Sequence, residues 1–326
     1  MNKKALVVTS STIYFLGLNT LLNGLDYYDH TDIDVYVVYG NTMLPYLEYC
    51  KDKFSFPLYS VSIADYGDMD SRSVIRGVPE IPYGTFDENA NACWAKYNFM
   101  LNVLSKQYEV ICLIDADCML LNNINQYFDE ALKTGKIICP LNPRAGNAKI
   151  DFYSRYNNNK KELHAACHGH VVENFPVFYD PQKHNDVNQY VWDNRDKEVP
   201  NDPDVFNAAL FELKKDNEIV YLSGDTWLGD FLTNIRYDEA NFDGKFGITN
   251  YKQERMNVWH SRFWRRDANV SLIRYMEDNK QNKDIISHNV MLGEKAVRFF
   301  NNHKVTFNDI VTMCGGAYEY YAREWV

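Results

Sequence analysis

Val110-Ile111-Cys112-Leu113-Ile114-Asp115-Ala116-Asp117 is the stretch whose reading decides the fold. Its five consecutive apolar residues predict a strand covered on both faces, the habit of a central strand in a parallel sheet. Two carboxylates separated by one residue follow immediately. They therefore sit at the carboxyl edge of that strand, where open α/β sheets bind their ligands. Just upstream, Trp94, Tyr97, Leu101 and Leu104 recur at helical spacing within residues 91–106, so a helix leads into the strand. Further back, Ala5-Leu6-Val7-Val8 and Val35-Tyr36-Val37-Val38-Tyr39 read as strands, and so do residues 58–63. A helical pattern through Tyr14, Leu18, Leu21, Leu22 and Leu25 separates the first two. Strands alternating with helices predict an α/β fold with a mostly parallel central sheet flanked by helices.

Downstream the pattern weakens. Residues 143–204 contain Asn157-Asn158-Asn159-Lys160-Lys161 and several prolines and read as a loop-rich insertion. Residues 205–213 read as a returning apolar strand, and residues 227–235 and 289–300 as helices. The 326 residues, 46% hydrophobic and 24% charged, suffice for a large core without disulfide or metal staples. The division expected is one fused body with two halves, residues 1–142 and 143–326.

The formal charge of −10 argues against broad, non-specific nucleic-acid binding. It leaves small anionic ligands open. No apolar stretch approaches the roughly 18 residues of a membrane span, and Met1-Asn2-Lys3-Lys4 runs into a short apolar segment without a cleavage pattern. Seven cysteines with no C-x-x-C pair fit a reducing compartment. These features together predict a soluble, cytoplasmic chain.

Asp115 and Asp117 can reach one hard cation from a turn. Mg²⁺ and Mn²⁺ prefer such oxygen ligands and complete their shells with phosphate oxygens. A metal–diphosphate site is the chemistry this pattern suggests, against the alternative of a solvated turn.

Trp94-Ala95-Lys96-Tyr97, the strand with its D-x-D through Leu121, and Asn125-Gln126-Tyr127-Phe128-Asp129 together resemble the glycogenin-type family of GT-A glycosyltransferases. The likeness covers about 35 consecutive residues and is far more specific than a D-x-D alone. It implies a Rossmann-like GT-A fold, with a nucleotide-sugar half in residues 1–142 and an acceptor half in residues 143–326. Val7-Val8-Thr9-Ser10-Ser11-Thr12-Ile13-Tyr14 is similar to the family's base pocket, which implies polar contacts from Thr9 and Ser10 and stacking of Tyr14 on uracil. Phe206-Asn207-Ala208-Ala209 resembles its F-N-[SA]-G strand, so Asn207 would bind the donor sugar. Gly224-Asp225-Thr226-Trp227-Leu228 resembles its G-D-Q-G-L-L turn, placing Asp225 beside the anomeric carbon. Asp225 could equally cap the helix that follows it.

Val258-Trp259-His260-Ser261-Arg262-Phe263-Trp264-Arg265-Arg266 resembles the family's third metal-ligand segment, H-F-x-G-x-x-K-P-W, without its glycine and proline. By that resemblance His260 joins Asp115 and Asp117 on Mn²⁺ or Mg²⁺, with Asp115 bridging the metal and the ribose. Arg266 takes the place of the diphosphate-binding lysine, with Arg262 close by in sequence, and arginine can fork onto phosphate oxygens. Lys96 would touch the donor, or else be an ordinary exposed helix lysine. Ala209 and Thr226 depart from the family pattern.

The implied activity is transfer of a hexosyl group from a UDP-sugar to a glycan, protein or small hydroxyl acceptor, with retention of configuration; the motif departures leave inversion open, with a carboxylate as base towards the acceptor oxygen. A sugar-1-phosphate nucleotidyltransferase would need a glycine-rich, arginine-bearing loop after the first strand, which Thr9 to Tyr14 lacks. An inactive carbohydrate-binding protein of the same fold is the other alternative. His164, Cys167, His168 and His170 match no zinc module, and no phosphate-loop or nucleophile-elbow motif occurs.

Overall fold

The computed structural model describes residues 3–10, 15–39, 44–67, 85–116, 118–141, 172, 175–195, 202–227, 236–237, 248–249 and 254–260. The predicted strands form as β1 (Lys4–Ser10), β2 (Ile33–Tyr39), β3 (Leu58–Ser62) and β4 (Val110–Asp115). They are followed by β5 (Cys118–Leu120), β6 (Ile137–Pro140), β7 (Val177–Tyr179) and β8 (Ile219–Leu222), then the short β9 (Arg236–Tyr237), β10 (Ile248–Thr249) and β11 (Val258–His260). Helices α1 (Phe15–Tyr27), α2 (Leu44–Cys50), α3 (Ile63–Tyr66) and α4 (Thr85–Asn102) fall between the first four strands. The later helices are α5 (Asn125–Thr134), α6 (Asn185–Asp193), α7 (Asp202–Glu212) and the single turn α8 (Gly224–Trp227).

Seven strands make one sheet in the order β3-β2-β1-β4-β7-β6-β8. Its pairings are parallel except those of β7, which runs antiparallel to both β4 and β6. The sheet thus takes strands from both sides of residue 142. Alternation along β1 explains its two-sided core: Leu6 and Val8 pack with Leu18, Leu21, Leu22 and Leu25 of α1. Ala5 and Val7 pack on the opposite face with Trp94, Tyr97 and Met100 of α4. In β4 the same rule sends Cys112 and Ile114 to the first cluster and Ile111 and Leu113 to the second, as expected for a strand covered on both faces. Gly24 lets α1 close onto β5, for a β-carbon there would meet Leu120 Cβ at 3.1 Å.

Two sequence expectations need correction. Residues 205–213 are not a strand; they lie in α7 and the turn that ends it, and Val205, Phe206, Ala209 and Leu210 are all buried. Those positions recur at i, i+1, i+4 and i+5, the period of a helix deep enough in the core to look uniformly apolar. The stretch 143–204 is not merely loop-rich, because it supplies the sheet strand β7 and the helix α6. Three residues of strand close behind a proline carry too little period to be recognised. Residues 228–235 and 289–300, and the segment from His164 to His170, lie outside the described residues. Among the described residues no helix is long and apolar enough to cross a membrane, and Cys50, Cys93, Cys112, Cys118 and Cys139 are free thiols.

The amino edge of the sheet is held by polar groups. Lys4 pairs with Asp32 at 3.0 Å and Asp129 at 2.9 Å, and Asn125 Nδ2 donates to Asp32 at 3.1 Å. His30 is fully buried, and its Nε2 accepts the Ile124 N–H at the start of α5 at 3.4 Å. Burial pulls its imidazole down to about 4 from 6.5, despite the opposing pull of Asn125 and Asp32. Between those two values the unfolded chain binds the proton and the native chain does not. Stability is therefore complete above pH ~6.5 and falls as the pH drops towards ~4, by about 3 kcal/mol from this group. His30→Gln should flatten that part of the pH dependence in urea melts between about pH 7 and 4.5. Equal slopes in both proteins would show that His30 is not its source.

Candidate active site

The carboxyl edge of the sheet gathers several of the predicted residues. Thr9 on β1 is level with Asp115 on β4, and Ser10 is level with Tyr39 on β2. Thr9 is 6% exposed and Ser10 is fully buried. Both lie at the end of a buried apolar strand, and Asp115 ends β4 half-buried in the same way.

Residues far apart in sequence are stitched onto this edge. β11 pairs antiparallel with β5 in a register that sets Val258 opposite Leu120 and His260 opposite Cys118. Cys118 directly follows Asp117 in sequence, so the backbone of His260 is paired with the residue after the D-x-D. The Leu121 N–H donates to the Asn257 carbonyl at 2.9 Å, and the Asn257 N–H donates to the Thr226 carbonyl at 2.8 Å. The turn containing Asp225 is thereby bonded to the same strand pair. α8 starts at Gly224, so Asp225 lies within the turn and does not cap it from outside. Trp227 anchors that turn: it is 1% exposed and meets Tyr127 and Phe178 edge-on at 4.3 and 5.8 Å. Burying such an indole stabilises by roughly 2–3 kcal/mol.

Under the edge, α4 presents Cys93 and, one turn on, Lys96. Cys93 Sγ is 3.9 Å from Thr9 Oγ1. Burial, with the Asp202 and Asp115 carboxylates, pushes the Cys93 thiol up to about 12, so it is a neutral packing group near pH ~7. Lys96 is 1% exposed, which overturns the picture of a solvated helix lysine. Its Nζ lies 2.7 Å from Asp202 Oδ2 and 3.7 Å from the centre of the Phe175 ring. The Tyr97 hydroxyl donates to the same Asp202 oxygen at 3.3 Å. The ion pair clamps the start of α7 to α4.

Asn207 occupies a helix, and its carboxamide is engaged with backbone. Its Oδ1 accepts the Val172 N–H at 3.1 Å, and its Nδ2 donates to the Val172 and Pro203 carbonyls, each at 2.9 Å. Val172 in turn bridges Leu141, just past β6. Tyr14, Asp117, Arg262 and Arg266 lie outside the described residues, as do the side chains of Asp225 and His260.

Three participants escape sequence reasoning. Asp202 and Phe175 enclose Lys96 from distant parts of the chain, and pairings of such separation leave no local pattern. Asn257 is a single polar residue between Met256 and Val258, and only its bonds reveal it.

No protein-family model matches the chain, and no curated protein sequence matches it. Solved structures do. An active-site mutant of LgtC is similar at 12% identity with a TM-score of 0.51, over 89% of this chain and 95% of that one. The bifunctional glycosyltransferase WbbM is similar at 10% identity and a TM-score of 0.49, over 80% of this chain and 46% of that one. The glycosyltransferase GlyE of Streptococcus pneumoniae TIGR4 is similar at 11% identity and a TM-score of 0.45, over 69% of this chain and 46% of that one. The chain thus spans about half the length of WbbM and GlyE. The fold shared with LgtC is the GT-A fold, a mostly parallel sheet with flanking helices.

Proposed function

We propose that this chain is a metal-dependent glycosyltransferase of the glycogenin type, moving a hexosyl group from a UDP-sugar to a hydroxyl acceptor with retention of configuration. The observation that carries this reading is the register of β11 on β5, which sets His260 opposite Cys118, the residue after the D-x-D. Two carboxylates and an imidazole are a donor set that suits Mn²⁺ or Mg²⁺. Asp115, Asp117 and His260 would hold the ion. When bound, it supplies positive charge against the diphosphate leaving group.

The remaining roles belong to the chain itself. Thr9 and Ser10, at the end of β1, offer polar contacts to the nucleoside, and Tyr14 stacks on uracil. Arg262 and Arg266 grip the diphosphate oxygens, opposing the charge that grows as the bond from the anomeric carbon to phosphate oxygen breaks. The acceptor oxygen forms the new bond to that carbon, beside Asp225, on the face the diphosphate leaves, and its hydroxyl proton passes to the departing phosphate oxygen. Lys96 is buried against Asp202, so it acts by holding α7 in place.

Asn207 serves the sugar pocket indirectly, by holding Val172 next to Leu141. The family motif that Asn207 resembles is a strand, whereas Asn207 lies in a helix.

A thermal-shift panel of nucleotides with and without Mn²⁺ tests the reading. UDP with Mn²⁺ at about a hundred times its dissociation constant should stabilise the chain by about 2.7 kcal/mol, a rise of several degrees on the order of 5 °C. A shift with another nucleotide and none with UDP would overturn the uracil pocket. Release of UDP from a UDP-sugar, as opposed to release of pyrophosphate from UTP and a sugar phosphate, separates transfer from nucleotidyl chemistry. NMR of the product anomer then tests retention, and an inverted product removes Asp225 from the role given to it.

A further inference from the structure

Asn257 lies where the segments carrying Asp117, Asp225 and His260 meet. It is 6% exposed, and its backbone bonds to Leu121 and Thr226 could be made by almost any residue. Its side chain adds something more specific, because Asn257 Oδ1 accepts from Asn122 Nδ2 at 2.9 Å. Asn122 is itself oriented, since its Oδ1 accepts the Asn123 N–H at 2.8 Å. Asn123 continues the chain of bonds, donating from Nδ2 to the Tyr28 carbonyl at 2.7 Å and accepting the Asn125 N–H at 2.8 Å. The carboxamide of Asn257 is thus tied through Asn122 and Asn123 to the end of α1 and the start of α5. A buried amide such as that of Asn257 needs a partner to stay satisfied.

We infer that Asn257 is a positioning residue for the metal-binding edge: its side chain sets the seating of β11 on β5 and so the place of His260 beside the D-x-D. This role rests on the metal site proposed above. Asn257 acts through the strand pair and through the turn of Asp225.

Amide hydrogen exchange and Mn²⁺ binding test it together. Asn257→Ala should speed exchange at the Leu121 amide and at its own amide about tenfold, as expected for loss of one buried hydrogen bond. Asn122→Ala should do the same from the half-buried side, and it serves if Asn257→Ala folds poorly. Asn257→Asp keeps an acceptor for Asn122 and should restore slow exchange. In Mn²⁺ titrations followed by electron paramagnetic resonance with UDP present, Asn257→Ala should weaken binding about tenfold, a common effect of losing a group that orients a metal ligand. Unchanged exchange in Asn257→Ala and Asn122→Ala would overturn the seating role. Faster exchange with unchanged Mn²⁺ affinity would reduce Asn257 to a purely structural bond. An unmodified chain that binds no Mn²⁺ in the presence of UDP would instead sink the metal reading itself, while the exchange rates would still decide whether the side chain seats β11.

Discussion

Asp117→Ala is expected to lower Mn²⁺-dependent release of UDP from UDP-sugars by about a thousandfold or more, while leaving the melting temperature of the unliganded chain unchanged. The magnitude follows from what the site is asked to do. A divalent ion facing a departing diphosphate contributes several kcal/mol of charge stabilisation, and about 4 kcal/mol corresponds to a thousandfold in rate. The fold should tolerate the change, because in sequence Asp117 falls after the last residue of β4 and before the first of β5. Two readouts must move together. Turnover should vanish, and the stabilisation by UDP with Mn²⁺ should fall towards that given by UDP alone, since binding stabilises only in proportion to occupancy. Near-normal turnover in the variant would refute the metal assignment, and His260 would lose its role with it.

The legible and illegible parts of this molecule divide on physical grounds. β4 announces itself because a strand covered on both faces must be apolar at every position, and Val110 to Ile114 are. Asp115 and Asp117 can be proposed from the sequence for a related reason: they follow directly on that strand. His260 can be proposed from the sequence only through its order relative to other motifs, and the structure adds the backbone pairing of that residue with Cys118. β7 escapes the sequence because three residues cannot display a period. α7 mimics a strand because a helix buried at Val205, Phe206, Ala209 and Leu210 has little polar face to mark its turns. Asn207 shares that ambiguity, resembling a strand motif while sitting in a helix. Asp202 opposite Lys96 and Asn257 opposite Asn122 have no local signature at all, since each contact exists only once the sheet has formed.

Lys96→Met should destabilise the chain by about 3–5 kcal/mol, the usual cost of removing one partner from a buried ion pair. The side chains of Lys96 and Asp202 are 1% and 7% exposed, so solvent cannot take over the lost interaction. Methionine approximates the stem of lysine but leaves the Asp202 carboxylate with the Tyr97 hydroxyl as its remaining contact of this group. It also forfeits the ammonium against Phe175, at 3.7 Å from the ring centre, a contact worth roughly 2 kcal/mol when desolvated. Asp202→Leu alone should cost a similar amount, for it strands the lysine charge. The double variant is the discriminating one. With both charges gone, the desolvation penalty disappears along with the attraction, so the pair together should cost far less than the sum of the single changes. Urea melts of the four proteins give the coupling directly. Additive losses would mean that Lys96 and Asp202 do not act as a pair. A wild-type melt for Lys96→Met with weakened UDP binding would return Lys96 to direct contact with the donor.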